Sequence, residues 1–250
     1  RTGLPSSSMF SVDDYEQVVA GLRAVEMDTP GRCGQNQSVL DPNDPDLCKP
    51  PVLIFFDSFE DGTNGWKVFS TGPAGPPTPY DWIQTDELPL GQKGTAWFCA
   101  DPFFGDCFDI DESSIHSLFS PEIKLPSELI FPLLTFEHFF ATETGFDGGN
   151  VKISVNDGPF HVVPTPAYVF NPANGTLLPE SAGNTNPIAG ETGFTGSSGV
   201  WGTSIVFLGG LVSGGETIRL RFDFGKDGCA GNIGWYVDDV WVIDCPLASD

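Results

Sequence analysis

Two pairs of positions near opposite ends of the sequence are the ones best suited to chemistry: Asp57 with Glu60, and Asp238 with Asp239. Each pair sets carboxylates inside or against a run of bulky apolar residues. Burying an ionised carboxylate is costly unless something pairs with it, and a bound cation is the simplest partner. A hard cation such as Ca2+ takes roughly six to eight oxygen ligands from carboxylates and carbonyls. Asp57 and Glu60 lie at the end of one strand, Val52–Asp57, and the two aspartates lie inside another, Gly234–Asp244. The first and last strands of an antiparallel sandwich commonly pair, which would bring the two groups together. In a regular strand Asp238 and Asp239 point to opposite faces, so only one of them can serve, and Asp239 is the choice. Asp101 joins the set if its loop folds over, and a hydrogen-bonded carboxylate cluster without metal is the alternative. The expected metal residues are therefore Asp57, Glu60, Asp101 and Asp239.

Other chemistry is poorly supported. His116, His138 and His161 form no HExxH or HxH pattern, and there is no GxSxG elbow, P-loop or dinucleotide fingerprint. Asp109-Ile110-Asp111-Glu112 approaches the Glu-x-Asp-x-x-Glu strand of some jelly-roll glycosidases. Its third position is Ser114, however, so the acid/base carboxylate that glycoside hydrolysis needs is missing. The segment reads as an acidic loop, no catalytic residue is assigned, and the expectation is a non-enzyme. Trp82, Trp97, Trp201 and Phe103-Phe104 sit in or beside loops, where a flat ring can stack on a sugar or fill a partner's pocket. Tyr80-Asp81-Trp82 is the best candidate, making Tyr80 and Trp82 the expected ligand-binding residues.

The elements that must position these groups are β-strands. The 250 residues include 30 Gly, 22 Pro, 21 Phe and 6 Trp, the profile of short strands joined by tight turns. Strands are expected near 52–57, 65–70, 95–100, 116–120, 131–140, 150–156, 159–163, 204–208, 216–224 and 234–244. Asn156-Asp157-Gly158-Pro159 marks a hairpin. The segment from 171 to 199 is rich in Gly, Asn, Thr and Pro and reads as one or two long surface loops. One amphipathic helix is expected from about Val12 to Met27, capped by Ser11, followed by a Pro-rich loop. The division expected is an arm, helix and loop over 1–51 and a sandwich over 52–250.

The net charge of −23 argues against nucleic acids and anionic membranes, and no apolar run can span a bilayer. Six cysteines fall in three local pairs, Cys33 with Cys48, Cys99 with Cys107 and Cys229 with Cys245. Without zinc spacing, disulfides in an oxidising compartment are the better account, so the protein is expected to be secreted. A chain starting at Arg1 suggests a processed product.

Five segments in order carry a family resemblance: Asp57-Ser58-Phe59-Glu60 with Gly65-Trp66; Ser117-Leu118-Phe119-Ser120-Pro121; Leu134-Thr135-Phe136-Glu137-His138; Gly148-Gly149-Asn150-Val151-Lys152-Ile153-Ser154; and Gly234-Trp235-Tyr236-Val237-Asp238-Asp239-Val240 with Cys245. Together, over about residues 52–246, they resemble the MAM domain. They are especially similar to the MAM-like jelly rolls attached to secreted bacterial metallopeptidases of the immune-inhibitor-A and thermolysin-like kinds. The resemblance implies a two-sheet antiparallel jelly roll, a cation between the strands carrying Glu60 and Asp239, and a non-catalytic role in adhesion, substrate binding or interdomain packing. Partners would be a protein or carbohydrate ligand, or other copies of the chain. Cysteine placement and the 171–199 insertion depart from animal MAM domains, so homophilic adhesion is not carried over. An autonomous adhesin or filament subunit, assembling through its N-terminal segment, is the alternative, and a jelly-roll glycosidase the remotest one.

Overall fold

Alternation of apolar and polar residues is strictest in Thr217-Ile218-Arg219-Leu220-Arg221-Phe222-Asp223-Phe224, and it builds the middle of a sheet. In the computed structural model, which describes residues 51–71, 81–99, 113–228 and 233–245, every described residue lies in one unit, Pro51–Pro246. The first sheet contains β1 (Val52–Asp57), β3 (Ile83–Thr85), β4 (Ala96–Cys99), β7 (Pro132–Ala141), β10 (Tyr168–Phe170), β13 (Gly202–Phe207) and β15 (Gly234–Asp244). The second contains β2 (Lys67–Thr71), β5 (Ser114–Phe119), β6 (Ile123–Lys124), β8 (Gly148–Val155), β9 (His161–Val162) and β14 (Thr217–Lys226). A two-stranded ladder, β11 (Gly175–Thr176) with β12 (Thr192–Gly193), lies in the long insertion. All strand pairings are antiparallel, and the chain passes repeatedly from one sheet to the other, as a jelly roll requires. The all-β, two-sheet expectation is met; the N-terminal helix and loop lie outside the described residues.

The inner faces follow the period of two. Leu134, Phe136, His138 and Phe140 of β7 and Trp235, Val237, Val240 and Val242 of β15 face Leu118, Val151, Ile218, Leu220, Phe222 and Phe224 of the second sheet. Phe136 and Phe222 meet edge to face at 5.3 Å, and Trp235 packs on Phe222 at 5.9 Å. His138 is part of this core. Its Nε2 lies 2.9 Å from Ser204 Oγ and its Nδ1 accepts from Trp235 Nε1 at 3.2 Å. Burial pushes its pKa down to about 3, so it stays neutral.

The hairpin forms as expected, with Lys152 opposite Val162 and both Asn156 (φ 50°) and Asp157 (φ 58°) left-handed, as a tight primed turn demands. The 171–199 segment is more than a surface loop. Phe194 exchanges two backbone hydrogen bonds with Gly149, and Leu177, Ile188 and Phe194 are buried. Asn186 and Ile188 press against Gly225, leaving no room there for a Cβ. The segment thus lies along part of the second sheet's outer face.

Candidate functional site

The last strand is interrupted where its two aspartates fall. On one flank β15 pairs with β7 throughout, but the register shifts between Asp238 and Trp241. On the other flank, Trp235–Val237 pair with β4 and Val240–Asp244 pair with β1, so neither neighbour reaches Asp238 and Asp239. Asp239 adopts a left-handed φ of 44°, as β-bulges allow. The extra residue keeps Trp235, Val237, Val240 and Val242 all on the core side. Both aspartates are thereby excluded from it, which corrects the expectation that they point to opposite faces.

Loop residues close over this seam. Gln92 Nε2 donates to Asp238 Oδ2 at 2.8 Å, and the Asp239 amide donates to Asp238 Oδ1 at 2.8 Å. Glu60 Oε1 accepts from the Thr95 amide at 2.7 Å, and its carboxylate occupies the space a side chain at Gly94 would need. Burial pushes Asp238 up to about 7, helped by the nearby Asp239 and Glu60 charges and opposed by its two hydrogen bonds. Asp239 is also raised, by burial first and then by Glu137 and Glu60, with Gln92 opposing. Four carboxylates therefore gather where, among the described residues, no ion pair neutralises them.

These residues suit a hard dication in kind. Three carboxylates and the Gln92 amide oxygen form an all-oxygen donor set. Among the described residues no three His, Cys, Asp or Glu side chains already stand close enough to hold an ion, so binding would require these carboxylates to draw together. Asp57 is a correction to the expected set. It faces the core opposite Val240, with Oδ1 accepting from Phe59 N (2.9 Å) and Asn64 Nδ2 (3.0 Å) and Oδ2 from Trp66 Nε1 (2.9 Å). It organises the turn after β1. Asp101 lies outside the described residues.

Trp82 is a second correction. It is 2 % exposed, with its Nε1 donating to the His116 carbonyl at 3.1 Å, so its ring is core and unavailable for stacking. Trp97 is likewise buried, and Tyr80, Phe103 and Phe104 lie outside the described residues. Cys245 is disulfide-bonded and Cys99 is buried; Cys33, Cys48, Cys107 and Cys229 lie outside the described residues.

Two polar groupings were missed in the sequence. In the first, His116 Nδ1 contacts Asp81 Oδ1 (3.1 Å) and Ser70 Oγ (2.9 Å), while Nε2 lies 2.9 Å from Ser114 Oγ. This Ser–His–Asp order has the connectivity of a hydrolase triad. Yet Ser114 is 3 % and His116 1 % exposed, and burial lowers the His116 pKa, so the array ties β2, β5 and the segment leading into β3 together. Period two gives no hint of it, because its members come from three separate segments.

The second grouping lies on the outer face of the second sheet. Asp223, fully buried, accepts from Ser117 Oγ (2.6 Å), Arg221 Nη2 (2.7 Å) and Lys152 Nζ (3.0 Å). Lys152 also pairs with Glu191 at 2.7 Å, and Asn150 Nδ2 donates to Glu191 Oε2 (2.8 Å) and the Thr192 carbonyl (3.1 Å). The Arg221 guanidinium lies 4.6 Å from the centre of Phe160 and 5.6 Å from that of Phe119, within cation–π range. Phe69, 60 % exposed, completes this face. The signal was present in the strict alternation of β14, whose polar positions from Thr217 to Asp223 fall on one side.

No protein-family model matches the sequence, and no curated protein matches it. Solved structures align at low identity. Two cleaved adhesin domains of Lys-gingipain from Porphyromonas gingivalis align with TM-scores of 0.42 and 0.39 at 16 % and 14 % identity. They cover 76 % and 75 % of this chain and 98 % and 96 % of theirs. The structure of TmCBM61 in complex with β-1,4-galactotriose aligns with a TM-score of 0.40 at 14 % identity, over 75 % of this chain and 94 % of that one. All three scores fall below 0.5, so no ligand or residue role is carried over from them.

Proposed function

We propose that this chain is a non-catalytic binding module of an extracellular protein, with its last strand stabilised by a calcium-class dication at the Glu60–Asp238–Asp239 seam. One observation carries the binding role: the outer face of the second sheet holds a rigid, charge-matched lattice beside the exposed ring of Phe69. Buried polar residues locked to one another hold the strands beneath Phe69 in one shape, and a rigid face loses less entropy on holding a partner. The seam has a supporting role, since a dication there would pin β1, β4 and β15 where neither β1 nor β4 pairs with β15. Attachment to a secreted metallopeptidase is the setting that the sequence resemblance implies. Among the described residues no helix is long and apolar enough to cross a membrane.

The adhesin or filament reading draws on a different feature. Val52, Leu53 and Phe56 of β1 are 48 %, 56 % and 39 % exposed, an apolar strip that a neighbouring copy could cover.

The test of the main reading has two arms. Calorimetric titration of chelator-treated chain with CaCl2 should give saturable binding that Asp239→Asn removes. Fluorescently labelled chain should adhere to surfaces coated with extracellular-matrix protein or with polysaccharide. A chain that adheres to neither is not a binding module, and a flat calcium titration removes the dication.

A further inference from the structure

Between β3 and β4 the chain forms a strap, residues 86–95, that lies across the outer face of the first sheet. Its Gln92 reaches Asp238 on β15, and its Pro89 carbonyl accepts from Trp201 Nε1 at 3.1 Å, next to the first residue of β13. Because the strands run in the order β13-β7-β15-β4-β3, these two contacts carry the strap over β15 and β7. Along the same path runs a row of rings from successive strands. Phe98 of β4 stands opposite Tyr236 of β15, which stands opposite Phe139 of β7, and Trp201 ends the row. Phe98 and Tyr236 stack at 4.3 Å, and Trp201 lies 6.0 Å from Tyr236.

These rings point away from the core, which their chain neighbours Trp97, Cys99, Phe140, Trp235 and Val237 fill. Phe98 and Tyr236 are nevertheless only 6 % and 7 % exposed. The strap contributes to their cover. A Cβ at Gly91 would stand 3.6 Å from the Trp201 ring, and the Glu87 charge, after burial itself, helps to raise the Tyr236 pKa.

Little holds the strap down. None of its residues is buried, and Leu90 is 97 % exposed. Within it there is one backbone–backbone hydrogen bond, from the Leu88 amide to the Asp86 carbonyl, and it bends at Gly91 (φ 114°) and Gly94 (φ 93°). Segments with few buried contacts open locally at low cost. What ties it to the sheet is the Trp201–Pro89 bond and two bonds to seam carboxylates, Gln92 Nε2 to Asp238 and the Thr95 amide to Glu60. We propose that the strap is a lid: closed, it covers the row from Phe98 to Trp201, and it opens about its ends at β3 and β4 when its ties to the seam are released. Opening exchanges a polar surface for a flat aromatic one without disturbing the sheet beneath, as loop lids do. The lid goes beyond the binding-module reading and does not need the dication.

The experiment compares the full chain with Gln92→Ala and Lys93→Ala in EDTA, so that the dication plays no part. Amide hydrogen exchange follows the strap, and acetylation of Tyr236 by N-acetylimidazole, located by peptide mapping, follows the row beneath. In wild type the strap amides should exchange well before those of β15. Gln92→Ala removes a hydrogen bond to a carboxylate, and should speed strap exchange and Tyr236 acetylation together by about tenfold or more. Exchange in β7 and β14 should stay as in wild type. Lys93→Ala, one residue away, should match wild type, since that side chain is exposed and makes no tie to the seam. Strap amides protected as long as those of β15 overturn the lid, because the segment then opens only with the whole fold. So does Gln92→Ala leaving either readout unchanged, or Lys93→Ala matching its effect. The calcium titration and the adhesion assay are untouched by these outcomes, so the lid and the binding-module reading fail separately.

Discussion

The outer faces of the two sheets handle their carboxylates in opposite ways. On the second sheet Asp223 is fully buried and satisfied, with two cations and a hydroxyl converging on its two oxygens. On the first sheet Glu60, Asp238, Asp239 and Glu137 gather with neutral donors only, and the raised pKa values of both aspartates record the strain. A matched carboxylate fixes geometry from within the protein. An unmatched group waits on something from outside, a proton or a dication. The lattice is therefore the feature that holds one shape, and the seam the feature that responds to solution conditions.

The largest effect expected from breaking this comparison is at Asp223. Asp223→Ala leaves Lys152 and Arg221 buried without their shared partner, and the loss should be about 3–5 kcal/mol in urea unfolding. A loss under about 1 kcal/mol would mean that Glu191 alone compensates both cations and that the lattice is not rigid. At the seam the comparable test is the metal. With free Ca2+ about a hundredfold above its dissociation constant, stability should rise by about 2.7 kcal/mol. Asp239→Asn should abolish that gain, and because asparagine tolerates the left-handed backbone there, the variant removes charge without adding strain. If wild type melts identically with EDTA and with calcium, the seam is a hydrogen-bonded cluster and the dication is wrong.

Asp147 sharpens the contrast by offering a single buried carboxylate. It accepts from the Asp227 amide at 2.9 Å, and burial pushes its pKa up to about 8, with Asp227 and Glu143 adding to the rise and Lys226 opposing it. A carboxyl with a raised folded-state pKa favours the fold when neutral. Its contribution is complete below the unfolded value of 3.8 and fades as pH climbs through about 8. His138 acts oppositely, withdrawing stability as pH falls from 6.5 towards about 3. Between pH 6.5 and 8 Asp238, raised to about 7, contributes to the slope as well, so the share of Asp147 is the difference between wild type and Asp147→Asn. Unfolding free energy should drop across that window by on the order of 1 kcal/mol per unit. Asp147→Asn should reduce the slope; an unchanged slope assigns the proton elsewhere.

Much of this architecture was legible in the residues because period two is a strong signal. β1 and β15 begin and end where expected, and the 156–159 turn announced its hairpin through Asn-Asp-Gly. That Glu60 and Asp239 lie near each other was likewise legible, from carboxylates set against apolar runs on strands expected to pair. Gln92 and Glu137 were not, since the seam arises where β1 and β4 stop short of each other along β15, and strand length against a third strand is a tertiary property. Asp57 misled for a related reason: its hydrogen bonds to Asn64 and Trp66 depend on how the next turn curls back. Trp82 misled because flanking prolines suggested a loop, and a loop tryptophan can still fill the core.

The smallest effect expected lies two residues from one of the largest. Arg219 and Arg221 share the outer face of β14, and both form ion pairs, Arg219 with Glu122 and Arg221 with Asp223. The Arg219 side chain is 41 % exposed and its partner 58 %, whereas Arg221 is 21 % exposed and its partner fully buried. Water and salt screen the first pair and leave little net gain, while the second is shielded beneath Phe119 and Phe160. Arg219→Gln should leave the urea midpoint within error of wild type, and Arg221→Gln should lower it clearly. Equal shifts would show that the ion pairs of this sheet act through strand propensity, and the distinction between matched and unmatched faces would then rest on the seam alone.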